Sequence, residues 1–181
     1  MADDKTAADR LYTTKQMGDA CEMLVAAELT LAGIPALKVA DNWPGYDVVA
    51  KPPHYWRGYA TNTDESTRAP QRISVKSRTM GRTKSVVFDP AAFDWLAIMI
   101  LEEGGNPISR EIFIMPSDIA QAGSYPRRWE GAKGDPCGLT LSAVRKRFTD
   151  YKDNFKLERF SRASLTLGRE RGLRAPKGMK P

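Results

Sequence analysis

Met17, Ala20, Cys21, Leu24, Ala27 and Leu31 recur at intervals of three and four residues, the spacing of a helix that buries one stripe. Thr13 stands three positions ahead of Gln16, as in a capping box, and Gly33 is a natural stop, so the pattern predicts a helix running to about Ala32. The period then falls to two. Pro35 to Ala40 predicts a first strand, Asp41-Asn42-Trp43-Pro44-Gly45 a turn, and Tyr46 to Ala50 a second strand. Pro-Pro, Gly58 and a polar run make 52–70 an exposed loop of unusual length. In the third strand, Arg72 to Ser77, Ile73 and Val75 alternate with Ser74 and Lys76, which puts Ser74 and Lys76 on one face.

Ser85 to Phe88 predicts a short strand, and the unbroken apolar run Trp95 to Leu101 fits a strand covered on both faces. Glu102 to Asn106 reads as a turn and Glu111 to Met115 as a further strand, with Ser117 as the cap of a short helix from Asp118 to Ala122. A Gly- and Pro-rich stretch from Gly123 to Gly138 leads to a helix over Leu141 to Tyr151. Helix, strands and helix in this order predict an α/β fold with a central mixed β-sheet flanked by helices.

With 181 residues, 41% apolar and 28% charged, the chain is long enough for one domain with its own core. The longest apolar run is too short to cross a bilayer, and the first residues lack a signal pattern, so a cytoplasmic protein with no membrane partner is expected. Two distant cysteines, Cys21 and Cys137, and a single histidine, His54, leave little material for a zinc cluster or a serine–histidine triad.

The net charge is +6, and from Lys156 onward eight Lys or Arg face two acids, an excess equal to that whole charge. The expected organisation is a flexible N-terminus (1–10), one domain (11–155) and a basic C-terminal tail (156–181). The tail, with Arg169 and Arg171, and the Arg145-Lys146-Arg147 cluster suit a phosphate backbone, DNA above all, although a solvated basic face has the same composition.

The candidate chemistry lies in three short pieces: Gly18 and Glu22 on the first helix, Pro44 to Asp47 entering a Val-Val strand, and Ser74-Val75-Lys76 followed by Ser77. Asp47 interrupts apolar residues with a charge that needs a partner. It is either a metal ligand, or a turn cap or ion-paired aspartate. Lys76 is either a strand lysine facing solvent or a group that orients water and offsets charge on a phosphate.

These pieces resemble the PD-(D/E)xK nuclease superfamily, in the branch of Holliday-junction resolvases and restriction-endonuclease-like proteins. The resemblance covers roughly residues 15 to 116. It implies a restriction-endonuclease-like fold, a Mg²⁺ (or Mn²⁺) cofactor held by Asp47, Glu22 and the Val75 carbonyl, and Lys76 as the catalytic lysine. DNA would be the substrate, with Ser77 touching a phosphate, and a homodimer is a further possibility the resemblance offers. Ser74 departs from the pattern, which has an acid or sometimes glutamine there. A hydroxyl is a weak neutral ligand, so Glu22 becomes the needed second carboxylate. The implied function is metal-dependent hydrolysis of DNA phosphodiester bonds. The alternatives are a nuclease-fold protein that binds DNA or a protein partner without cutting, and an RNA-directed relative.

Overall fold

The computed structural model describes residues 12–41, 43–51, 69–81, 84–102, 109–126 and 135–160. The expected flexible N-terminus, nearly all of the loop 52–70, the turn beyond Glu102 and the tail from 161 on, with Arg169 and Arg171, lie outside the described residues.

Helix α1 spans Thr14–Leu31. The Thr13 hydroxyl accepts from the Gln16 N–H, and the Gln16 side chain accepts from the Thr13 N–H, which closes the capping box. Gly33, at φ 92°, turns the chain out of the helix through a conformation that disfavours a Cβ. Six strands are interleaved after it: β1 (Ala36–Lys38), β2 (Val48–Ala50), β3 (Gln71–Thr79), β4 (Ser85–Phe88), β5 (Trp95–Glu102) and β6 (Ser109–Pro116). Five of them form a mixed sheet in the order β1-β2-β3-β5-β6, with β3 and β5 parallel and the other neighbours antiparallel.

Strand β4 leaves this sheet and pairs elsewhere. With α2 (Ser117–Ala122), β7 (Tyr125–Pro126), β8 (Cys137–Thr140) and α3 (Leu141–Arg147), it builds a second layer whose sheet has the order β4-β8-β7. The Gly- and Pro-rich stretch from Gly123 to Gly138, where no strand was expected, contributes both β7 and part of β8. Neither strand is long enough to show a period. The helix expected over Leu141 to Tyr151 ends at Arg147 and continues only as a 3-10 turn, Thr149–Tyr151. Ser117 does not cap α2: β6 runs through Pro116, which takes the cap position without a side-chain hydrogen bond.

The expected sheet flanked by helices is therefore present, and burial explains it. All residues from Trp95 to Leu101 on β5 are buried, so both faces of the sheet need a cover. On one face Cys21, Val25 and Leu29 of α1 pack on Ile73, Val75, Ala97, Met99 and Ile114. On the other, Leu96, Ile98, Ile100 and Phe113 meet Val86, Leu139, Val144 and Phe148 of the second layer. No helix among the described residues is long and apolar enough to cross a membrane.

The packing continues past the expected domain end at residue 155. Leu157 is buried in the α1-side core and Phe160 packs against Tyr151. This segment also covers the outer edge of β6: the Asp153 N–H donates to Ile112 O, and Asn154 Nδ2 donates to Ile114 O at 3.0 Å. A covered edge does not template pairing with another chain.

Gly123 closes α2, and a Cβ placed there would collide with the ring of Phe148, which is itself buried. Gly18, inside α1, has open space where its Cβ would stand. Gly123→Ala is therefore expected to destabilise the fold by about 1–3 kcal/mol, and Gly18→Ala to stabilise it by about 0.5–1 kcal/mol. Urea unfolding of both variants beside the wild type checks the contrast.

Candidate active site

Strand β2 gives out early. Its last pairing with β3 is Val48 with Ile73, so the next N–H on that edge of β3, at Val75, needs another acceptor. Asp47, just ahead of β2 rather than within it, supplies one: its Oδ2 accepts from the Val75 N–H at 2.6 Å and from the Ser74 hydroxyl at 3.2 Å. The Asp47 backbone is held on both sides, its N–H donating to Ile73 O at 2.9 Å and its carbonyl accepting from the Val39 N–H at 3.0 Å. The preceding turn depends on Gly45 at φ 91°, where a side chain would be strained and would press on Ala92.

Ser74 is only 2% exposed. Its hydroxyl is a donor that orients Asp47. Lys76, two residues on and on the same face, brings Nζ to 3.9 Å from Asp47 Oδ2, a loose ion pair. Within an extended strand the N–H and C=O of one residue point to the same edge. The Val75 carbonyl therefore shares the edge on which Asp47 lies.

Glu22 reaches the same place from α1. With Lys15, Gly18 and Asp19 it forms a helical stripe that lines a groove of about 240 Å³, closed on the other side by Lys38, Asp41, Trp43, Tyr46 and Asp47. Burial pushes the Glu22 carboxyl up and the charge of Asp47 adds to that, while the hydrogen bond from Lys38 opposes it. Lys38 Nζ lies 3.1 Å from Glu22 Oε2, 2.6 Å from Asp41 Oδ1 and 3.6 Å from Asp19 Oδ1. Lys15 Nζ bonds Asp19 Oδ2 at 2.7 Å and Asp41 Oδ2 at 2.6 Å. The hydrogen bonds from Lys15 and then Lys38 hold the Asp41 carboxyl down at about 2.

The structure thus brings Ser74, Val75 and Lys76 to Asp47 at the end of β2, and Glu22 lines the same groove as Asp47. Ser77 does not join them. It shares the sheet face of Ile73 and Val75, under α1, and its hydroxyl meets the thiol of Cys21, which burial pushes up. Arg145 is bound to Glu111 and Glu102, and Arg147 donates to Gly123 O at 3.2 Å. Lys146 is exposed. Asp94 locks the start of β3 to β5: its carboxylate takes the Arg72 N–H at 2.8 Å and the Arg72 guanidinium at 2.9 and 3.2 Å.

Lys15, Asp19, Lys38 and Asp41 were not singled out in the sequence. Lys15, Asp19 and Glu22 recur every three or four residues, a spacing that places them on one face of α1. Lys38 and Asp41 join only through the turn between β1 and β2.

No protein-family model matches the chain, and no curated protein matches it in sequence. Among solved structures it is similar to a bacterial homing endonuclease, I-Ssp6803I, with a TM-score of 0.47 and 14% identity over 90% of this chain and 100% of that one. A likeness of that degree carries nothing about chemistry, which rests on the groove itself.

Among the described residues no three Asp, Glu, His or Cys side chains converge closely enough to form a metal cluster. The candidate donors are hard oxygens: the carboxylates of Asp47 and Glu22, which line one groove, and the Val75 carbonyl on the strand edge beside Asp47. Such a set suits Mg²⁺ or Mn²⁺, ions that keep several waters and take few protein ligands. The donor set fits the ion in kind.

Because Asp41 sits below the value of about 3.9 for a free aspartate, its ion pairs stabilise the fold above that pH and are lost as pH falls toward about 2. The stability advantage of the wild type over Asp41→Asn is expected to be constant from neutral pH to roughly pH 5, then to shrink as pH falls to about 2. Urea unfolding of both proteins across that range measures it.

Proposed function

We propose that this chain is a nuclease-fold protein that hydrolyses DNA phosphodiester bonds with a divalent cation. The observation that carries the proposal is Asp47, fixed by the Val75 N–H and Ser74 hydroxyl with Lys76 beside it, in one groove with Glu22. Asp47, Glu22 and the Val75 carbonyl would hold Mg²⁺ or Mn²⁺. When bound, the ion polarises a phosphoryl oxygen and lowers the pKa of an attacking water.

The protein's own groups do the rest. Ser74, in the position where the family carries an acid, keeps one oxygen of Asp47 engaged and so sets the direction of the other. Lys76 orients the water and offsets the negative charge that builds on the phosphate. Trp43, 53% exposed on the rim and in edge contact with Tyr46 at 6.2 Å, offers an aromatic face to a base.

Calorimetric titration with Mn²⁺, with and without a short DNA duplex, tests this directly. Wild type is expected to bind the ion, Asp47→Ala to lose it, and Ser74→Ala to bind about tenfold more weakly, as when a group orienting a ligand is removed. Silence from the wild type, with DNA present, would overturn the metal-dependent reading.

Lys76→Ala separates binding from chemistry. It is expected to keep Mn²⁺ affinity within a few-fold while cleavage of branched, single-stranded or duplex DNA falls by about 10²-fold or more. Equal loss of both would show that Lys76 only supports the site.

A second reading is favoured by Ser74: one core carboxylate is replaced by a neutral donor already committed to Asp47. On that reading the fold holds DNA without cutting it, and Asp47→Ala leaves DNA affinity intact with no contribution from Mn²⁺.

A further inference from the structure

Three carboxylates, two from α1 and one from the turn after β1, converge on one ammonium. Asp41 Oδ1, Glu22 Oε2 and Asp19 Oδ1 stand 2.6, 3.1 and 3.6 Å from Lys38 Nζ, and Lys15 ties Asp19 to Asp41 from outside. The stem of Lys38 comes from β1, the edge strand of the sheet, across the groove from α1. This is more than a surface ion pair. The groove lining carries four carboxylates, Asp19, Glu22, Asp41 and Asp47, against two lysines, and the Lys38 amine is the cation that touches Glu22.

Glu22 is the carboxylate that the proposed function assigns to a divalent ion together with Asp47. An oxygen bonded to an ammonium is less available to a metal, and the two cations repel at this range. Asp47 is not among the partners of Lys38. Its own lysine, Lys76, is farther off at 3.9 Å, against 3.1 Å from Lys38 to Glu22, so of the two ligands Asp47 has the less closely held cation. Lysine is a compact charge on a flexible four-carbon stem, suited to moving away when a stronger cation arrives.

We propose that Lys38 is an internal competitor and positioning residue: its ammonium gathers Glu22, Asp19 and Asp41, and a divalent cation engages Glu22 only by displacing it. The inference rests on the metal-dependent reading of the same groove. It gives the site a threshold: ion occupancy is set against a charge built into the chain.

Two measurements on the full chain test it. In Mn²⁺ calorimetry, Lys38→Met is expected to bind about tenfold more tightly than wild type, a modest share of what a unit charge a few ångströms away exerts. A lysine that merely braced Glu22 would give the opposite sign, so weaker or unchanged binding by a folded Lys38→Met overturns the proposal.

The second measurement needs no variant. Reductive methylation of the wild type, quantified by mass spectrometry of the Lys38 peptide, is expected to increase several-fold in Mn²⁺ relative to EDTA, with exposed Lys146 as an unchanging reference. If Lys38→Met fails to fold, this result decides, and equal labelling in both conditions overturns the proposal. Absence of Mn²⁺ binding by wild type and variant alike, with duplex DNA present, would instead remove the metal-dependent reading, and this inference with it.

Discussion

A strand buried on both faces governs this structure. With every residue from Trp95 to Leu101 out of solvent, β5 has to be covered twice, by α1 on one side and by the second layer on the other. Because β3 runs parallel to β5, the chain has to leave the sheet between them, and the excursion carries β4 into the second layer. The remaining strands are added at the margins. β2 lies outside β3 and pairs with only three of its residues, and β1 outside that. The candidate site occupies the notch that this shortness leaves, where β3 continues and β2 does not.

The notch explains how Asp47 can be both structural and chemical. In the sequence it admitted two readings, a capping aspartate or a metal ligand, and the geometry makes them compatible. Its Oδ2 stands in for the main-chain acceptor that β2 no longer provides, which fixes the carboxylate without a neighbouring helix or a metal. An aspartate oriented by an N–H and a hydroxyl is already held in one direction, and that lowers the entropic cost of ligation. Glu22 is held differently. Burial and the charge of Asp47 push its pKa up, and the hydrogen bond from Lys38 opposes them.

Much of this was legible in the chain. The capping box, the α1 stripe, the apolar run of β5 and the alternation of β3 each express a period long enough to read, and each appears within a few residues of its expected bounds. What escaped was short or non-local. β7 has two residues and β8 four, too few to show alternation, and both are held by partners distant in sequence. Strand register put Ser74 and Lys76 on one face, and Glu22, Asp47, Ser74 and Lys76 were singled out by the resemblance of three short pieces to a nuclease family. Lys38 was not, since a lysine on a three-residue strand looks like a solvated edge residue until Asp19, Glu22 and Asp41 are folded around it. Ser77 was drawn to the site by its place next to Lys76, yet alternation alone sends it to the opposite face.

The distribution of charge adds a constraint on the proposed function. A groove lined by four carboxylates and two lysines repels phosphate, so affinity for a polyanion cannot originate there. In the folded body many basic side chains are already committed to acids: Arg72 to Asp94, Arg145 to Glu102 and Glu111, Lys152 to Glu111, Arg159 to Asp118. The formal excess of positive charge is carried from Lys156 onward. Holding and cutting would then belong to different parts of the chain. Attraction to the backbone would come from the tail and weaken steeply with salt, while approach of one phosphate to the groove would require a cation there to cancel its negative charge. An internal lysine that had first to be displaced would make that neutralisation the controlled step, and a duplex held by the tail would meet an active groove only where the ion had already prevailed.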